Sequence, residues 1–279
     1  MSQDDVLQRL LNAKGFIFDV DGTLALADKK LSGYKALPGA VELVTLLRKR
    51  GVPVAAFTNG STKHPRVLNG ELANIGIQFE EQLTLTPVSI AVTHFKQKRF
   101  KKILVLGGEG VYSPLIEAGF DVVRAPTRAD DADAVLIGWY PEFTLPDLEA
   151  ATRAIWGGAA FFTVSKAPYV ASRDGRTIGI SGAIAAAVKS ITGKSAVVVG
   201  KPSAHALNAA SVRLNVHPNN LVIVGDDPGL ENAMAVRGGS VSVGVHTGLA
   251  TAADFSALAA DIQPHFSLSG IDKLLELLA

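Results

Sequence analysis

The sequence predicts an α/β fold built on a doubly wound parallel sheet. Short apolar, β-rich runs recur along the chain, they are continuous rather than alternating, and segments with helical spacing separate them. Continuous apolar runs suit strands buried on both faces, and strand–helix alternation suits parallel pairing through crossover helices.

In chain order, the expected strands are Phe16–Val20, Val52–Thr58, Ile103–Leu106, Ala134–Ile137, Phe161–Val164, Ala196–Val199, Leu221–Val224 and Val241–Val245. Helical spacing runs through Ala40–Arg50, Asp147–Trp156, Ala183–Thr192 and Ala204–Leu214. Punctuation agrees: Pro38 precedes the first of these helices and Gly51 follows it, the asymmetry that helix ends favour. Pro202-Ser203 likewise stands where a helix should begin after Val199. No repeat and no low-complexity linker interrupts the chain.

Composition bounds the function. The chain has 279 residues, 48% hydrophobic and 19% charged, enough to bury a sizeable core. A net charge of +1 gives no basic footprint for nucleic acid. The absence of cysteine excludes disulfides, thiolate metal sites and a Cys nucleophile, and fits a reducing cytosol. Met1–Asn12 is polar and lacks the apolar core of a signal peptide, and the apolar runs fall well short of the ~20 residues that span a bilayer. A soluble, cytoplasmic protein is expected.

Four polar clusters follow apolar strands, at the sheet edge where ligands of open α/β folds bind. In Phe16-Ile-Phe-Asp-Val-Asp-Gly-Thr-Leu24, Asp19 and Asp21 lie two residues apart, so extended backbone points both carboxylates one way. A carboxylate nucleophile beside a carboxylic acid is what phosphoryl transfer through an aspartyl-phosphate needs. Gly22 permits a tight turn away from the strand. In Ala55-Ala-Phe-Thr-Asn-Gly-Ser-Thr62, Thr58, Asn59 and Gly60 offer hydroxyl, amide and backbone N–H groups for a phosphate; the plainer reading is a Ser/Thr/Asn turn or helix cap. In Val197-Val-Val-Gly-Lys-Pro202, Lys201 is placed to offset carboxylate and phosphate charge, unless it is a surface lysine at a strand end. In Leu221-Val-Ile-Val-Gly-Asp-Asp-Pro-Gly-Leu-Glu-Asn232, Asp226, Asp227 and Glu231 offer the oxygen donors that Mg²⁺ prefers, or an acidic turn that caps a helix beginning near Gly229.

In this order the four strings resemble the haloacid dehalogenase (HAD) superfamily, from Phe16 to at least Asn232. Roughly 140 residues separate Asn59 from Lys201, far more than an ordinary connection. That spacing, with Thr-Asn, Val-Gly-Lys-Pro-Ser and the Gly107–Gly110 stretch, resembles the NagD-like or 4-nitrophenylphosphatase branch, which carries a large α/β cap. The resemblance implies a Rossmann-like core over residues 1–82 and 180–279, with an inserted cap over 83–179. The core sheet would take the strands near Phe16, Val52, Ala196, Leu221 and Val241, and the cap those near Ile103, Ala134 and Phe161.

By position, the resemblance makes Asp19 the nucleophile and a Mg²⁺ ligand, and Asp21 the general acid/base with its carbonyl on the metal. Thr58, Asn59 and Gly60 hold the phosphate, Lys201 neutralises charge, and Asp226 ligates Mg²⁺. The branch commonly has a second Asp five positions on, where this chain has Glu231. Its longer side chain leaves direct, water-mediated or no metal contact open, and Asp227 is an adjacent candidate.

Expected selectors of the leaving group lie at Ser165–Tyr169 and Trp139-Tyr140, with Lys166 either gripping an anionic substrate or solvated. Ser165-Lys166-Ala167 departs from the branch's Asn-Pro-Asp-like pattern. Gly107–Gly110 reads as a strand-to-helix turn, lacking the full dinucleotide fingerprint. His64, His94, His205, His217, His246 and His265 show no metal-ligand spacing on one helix, and a capping or surface role is expected of His64. Trp139 and Trp156 read as core or interface residues. The expected activity is Mg²⁺-dependent hydrolysis of a small phosphorylated metabolite, without nucleic-acid or membrane partners and with a homodimer through the cap. Alternatives are a phosphotransferase using the same aspartyl-phosphate and a non-catalytic phosphate-binding module.

Overall fold

A computed structural model describes residues 2–28 and 32–279; Met1, at the head of the polar N-terminal stretch, and residues 29–31 lie outside the described residues. In chain order the strands are β1 (Gly15–Phe18), β2 (Ala25–Leu26), β3 (Lys35–Ala36), β4 (Val54–Phe57), β5 (Thr84–Leu85), β6 (Lys102–Leu106), β7 (Asp121–Arg124), β8 (Ala134–Ile137), β9 (Ala160–Thr163), β10 (Tyr169–Ser172), β11 (Gly175–Ile178), β12 (Val197–Val198), β13 (Leu221–Gly225), β14 (Val241–Val245) and β15 (Phe266–Leu268). Two parallel sheets result, one ordered β15-β14-β13-β1-β4-β5 and the other β12-β9-β8-β6-β7. Two antiparallel pairs, β2-β3 and β10-β11, are small additions.

Both sheets are buried on both faces, as continuous apolar strands require. In β1, Phe16 and Phe18 pack with Leu43, Leu47 and Leu274, while Ile17 points the other way among Leu207, Ala210 and Met234. In β6, Leu104 and Leu106 face Ala151 and Ile155, while Ile103 and Val105 face Phe95 and Leu115. Each such side chain contributes about 1.5–3 kcal/mol on burial, so four faces of this kind hold the two units rigid.

The strand near Ala196 corrects the expected sheet membership. Val197 and Val198 pair with Phe162 and Thr163, so β12 edges the second sheet. Ala196 packs there with Ile184, Ala185 and Val188 of the helix Ile180–Thr192. The inserted unit thus runs on through Val198, past residue 179, whereas Thr84–Leu85 belongs to the first sheet. A short apolar run shows that a strand is buried without showing which sheet accepts it. Among the described residues no helix is long and apolar enough to cross a membrane.

Candidate active site

Because β1 lies between β13 and β4, the three loops that leave their C-terminal ends meet at one sheet edge. The Asp19 N–H donates to the Val224 carbonyl at 2.9 Å, extending the ladder one residue past β1. The chain then turns through Gly22, whose φ is +100°. A Cβ there would stand 2.6 Å from Asp226 Oδ2, so glycine lets the first loop lie directly against the fourth. Gly225 leaves room for the Glu231 side chain in the same way.

Lys201 arrives from the other unit, three residues beyond β12. A Cβ on Gly200 would stand 2.5 Å from Asn59 Oδ1, so glycine lets the returning chain press against the second cluster. The Lys201 N–H donates to Asn59 Oδ1 at 2.8 Å, and Asn59 Nδ2 donates to the Lys201 carbonyl at 3.0 Å. Asn59 therefore brackets the lysine backbone, and its amide is turned to that backbone. Lys201 is 1% exposed, and its ammonium donates to Asp19 Oδ1, Glu231 Oε1 and the Phe57 carbonyl, each at 2.5 Å. Three N–H donors meet three acceptors, which fixes the Asp19 carboxylate in place.

The electrostatics follow from crowding. Burial foremost, then the Asp19 charge, pushes the Asp21 carboxyl up to about 7, against hydrogen bonds from Thr58 and Tyr34. Glu231 is pushed up to about 8 by burial, with Lys201 opposing and Asp19 and Asp227 adding to the rise. Asp226 is raised well above the usual carboxylate range by burial, Asp19 and Glu231. Burial alone would lower Lys201, but Asp19 and Glu231 hold it above the ordinary lysine range.

Asp19, Asp21, Thr58, Asn59, Gly60, Lys201, Asp226, Asp227 and Glu231 all line one cavity of about 300 Å³. Thr58 Oγ1 donates to Asp21 Oδ2 at 3.1 Å and accepts from the Gly60 N–H at 2.8 Å. Asp227 caps the wide turn Pro228–Asn232, accepting from the Gly229 N–H at 2.7 Å. Of the expected selectors, Tyr169 lines the cavity, whereas Lys166, Trp139 and Tyr140 do not. The Trp139 N–H instead donates to Ser61 Oγ at 2.9 Å, and Tyr140 donates to Asp147 at 3.3 Å. Trp156 is 65% exposed rather than core. His64 caps the helix Pro65–Asn74, and Gly107–Gly110 forms the turn from β6 into the helix Glu109–Glu117, both as the sequence suggested.

Two residues escaped the sequence reading. Tyr34 donates to Asp21 Oδ1 at 3.2 Å, from a loop with no motif of its own. Arg176, on the β10-β11 hairpin, lines the cavity with its guanidinium 4.3 Å from the Tyr169 ring centroid. An Arg beside Gly175 in a polar turn carries no pattern that separates it from solvent-facing residues.

A divalent cation fits this donor set. Six carboxylates line the cavity, Asp254 among them, and Lys201 is the one buried cation there. Gathering ionised carboxylates without a cation is costly, and all-oxygen donors suit Mg²⁺. Among the described residues no three acidic or imidazole side chains form a ready-made cage. Mg²⁺ commonly binds through one or two carboxylates plus water and substrate oxygens, which Asp19 and Asp226 are placed to supply.

Two family descriptions match: haloacid dehalogenase-like hydrolase over residues 16–121 and HAD-hydrolase-like over 198–274, about two thirds of the chain together. Sugar-phosphatase AraL of Bacillus subtilis is 29% identical over 237 residues, covering 85% of this chain and 84% of its own. Human chronophin is 27% identical over 288 residues, covering 98% and 94%. The fold matches a 4-nitrophenylphosphatase structure from Thermotoga maritima with a TM-score of 0.85 at 23% identity, covering 97% of this chain and 99% of that one. With the four clusters gathered around one cavity and both family descriptions falling on them, the chain belongs to the haloacid dehalogenase-like hydrolases.

Proposed function

We propose that the protein hydrolyses small phosphate monoesters through an aspartyl-phosphate on Asp19, with Mg²⁺ as cofactor. The observation that carries this is the Asp19–Lys201 pair: a buried carboxylate, fixed by an ammonium, facing the same cavity as Asp21. Asp19 attacks phosphorus, the bond to the leaving oxygen breaks, and Asp21 gives its proton to that oxygen. Water then attacks the acyl-phosphate, Asp21 takes its proton back, and inorganic phosphate leaves with the Asp19 carboxylate restored. Bound by Asp19, Asp226 and the Asp21 carbonyl, Mg²⁺ would neutralise phosphoryl charge. Lys201 acts through Asp19, since its three donors are already engaged, and Asn59 holds Lys201.

A cavity of about 300 Å³ suits a small leaving group, enclosed by the β10-β11 hairpin, where the Arg173 N–H donates to the Ala27 carbonyl at 2.8 Å. Enclosure excludes bulk water from the phosphoryl group. The name of the AraL relative makes sugar phosphates the first class to test. Phosphate release from a sugar-phosphate panel, with and without free sugar acceptor, is the experiment. One phosphate released per alcohol, unaffected by acceptor, is expected; phosphoryl transfer to the acceptor contradicts hydrolysis.

A further inference from the structure

A second cavity, of about 270 Å³, lies between the helices Pro87–Lys98 and Ala204–Leu214, away from the carboxylates. Its chemistry differs from that of the first: no acidic side chain lines it. His94 and His205 meet there from opposite walls, with ring centroids 4.4 Å apart and ring planes 50° from parallel. His94 is braced by an edge contact to Phe162 at 5.5 Å. Among the described residues neither ring makes a hydrogen bond. Each histidine is followed three positions on by a carboxamide that lines the same cavity, Gln97 after His94 and Asn208 after His205. Residues three apart share a helix face, so two imidazoles and two amides converge from two rigid elements.

We propose that His94 and His205 form a binding site for a borderline transition-metal ion such as Zn²⁺, with Gln97, Asn208 and water completing the shell. Imidazole nitrogens favour Zn²⁺, Cu²⁺ and Ni²⁺ over Mg²⁺, which prefers the all-oxygen set around Asp19. The two sites therefore sort cations by ligand chemistry. Arg213, at the far end of the groove, is turned to the Ser89 carbonyl at 3.3 Å. An occupied site would tie the helix that enters the inserted unit to the helix that follows Lys201. The inference does not depend on phosphatase activity.

The test is Zn²⁺ titration calorimetry on the full chain, pre-treated with EDTA, in excess Mg²⁺. One Zn²⁺ per chain is expected in wild type and in Asp226→Asn. Affinity should fall by at least about tenfold in His205→Ala, the lower end of what losing even an outer partner of a metal-bound histidine costs. His205 is exposed, so that variant should fold, and His94→Gln provides a second probe. Zn²⁺ binding that survives both substitutions, or that vanishes only in Asp226→Asn, overturns the proposal. So does a groove that takes up sulfate and ignores Zn²⁺, which would make it an anion site.

Discussion

Lys201 has three N–H donors and three acceptors, and two of those acceptors are carboxylates. Replacing it with methionine leaves Asp19 and Glu231 buried without their cation. Turnover in Lys201→Met should fall by about 10²–10³, the scale at which a fixed charge partner contributes, read as kcat at saturating substrate. The carboxylate cluster makes a second prediction. Asp21 is raised to about 7 and Glu231 to about 8, both chiefly by burial, so metal-free protein at pH 7 retains protons there. A divalent cation favours the ionised forms, so Mg²⁺ binding should release protons, seen by calorimetry in buffers of different ionisation enthalpy. Asp21→Asn and Glu231→Gln should each reduce the release; none in wild type would contradict the crowding described. Asp19, Asp21, Lys201 and Asp226 were legible in the sequence because each lies within three residues of the end of an apolar strand. Tyr34 was not, because its partner Asp21 is thirteen residues away and only the fold joins them.

At the scale of elements, glycines decide how closely the loops approach. Gly22→Ala puts a side chain at φ +100° and against Asp226, and should cost about 1–3 kcal/mol of stability along with much of the activity. Gly110 sets the approach of the inserted unit: a Cβ there would overlap the backbone of Ser61–Lys63. Gly110→Ala should lower the melting temperature and weaken substrate binding together. The β10-β11 hairpin supplies a charge to the cavity, and among the described residues Arg176 has no carboxylate at ion-pair distance. Arg176→Ala should raise KM by about tenfold or more for esters whose leaving group carries a carboxylate, given ~1.5–3 kcal/mol for a charge-assisted contact, and should spare neutral polyol esters. The continuous apolar strands were legible from hydrophobic pattern alone. The sheet that receives β12 was not, because Val197-Val198 has the same composition in either sheet and its pairing with Phe162 and Thr163 is non-local.

For the whole molecule, the site exists only where the two units meet. Asp19, Asp21, Thr58 and Asp226 come from the first sheet, whereas Lys201 is delivered by the chain returning from the second. Asn59 joins the two by clasping the Lys201 backbone, and the ion pair of Arg66 with Glu117 adds a link between the helices Pro65–Asn74 and Glu109–Glu117. The long spacing between the second and third clusters announced this insertion in the sequence, while its limits depended on tertiary pairing. We propose Asp19, held by Lys201, as the nucleophile of a metal-dependent phosphatase. Hydrolysis of p-nitrophenyl phosphate, measured with Mg²⁺ and with EDTA in wild type and Asp19→Asn, tests it most directly. Turnover should require Mg²⁺ and fall by more than about 10³ in Asp19→Asn, as loss of a covalent nucleophile does. Mg²⁺-supported turnover that Asp19→Asn leaves intact would contradict the account.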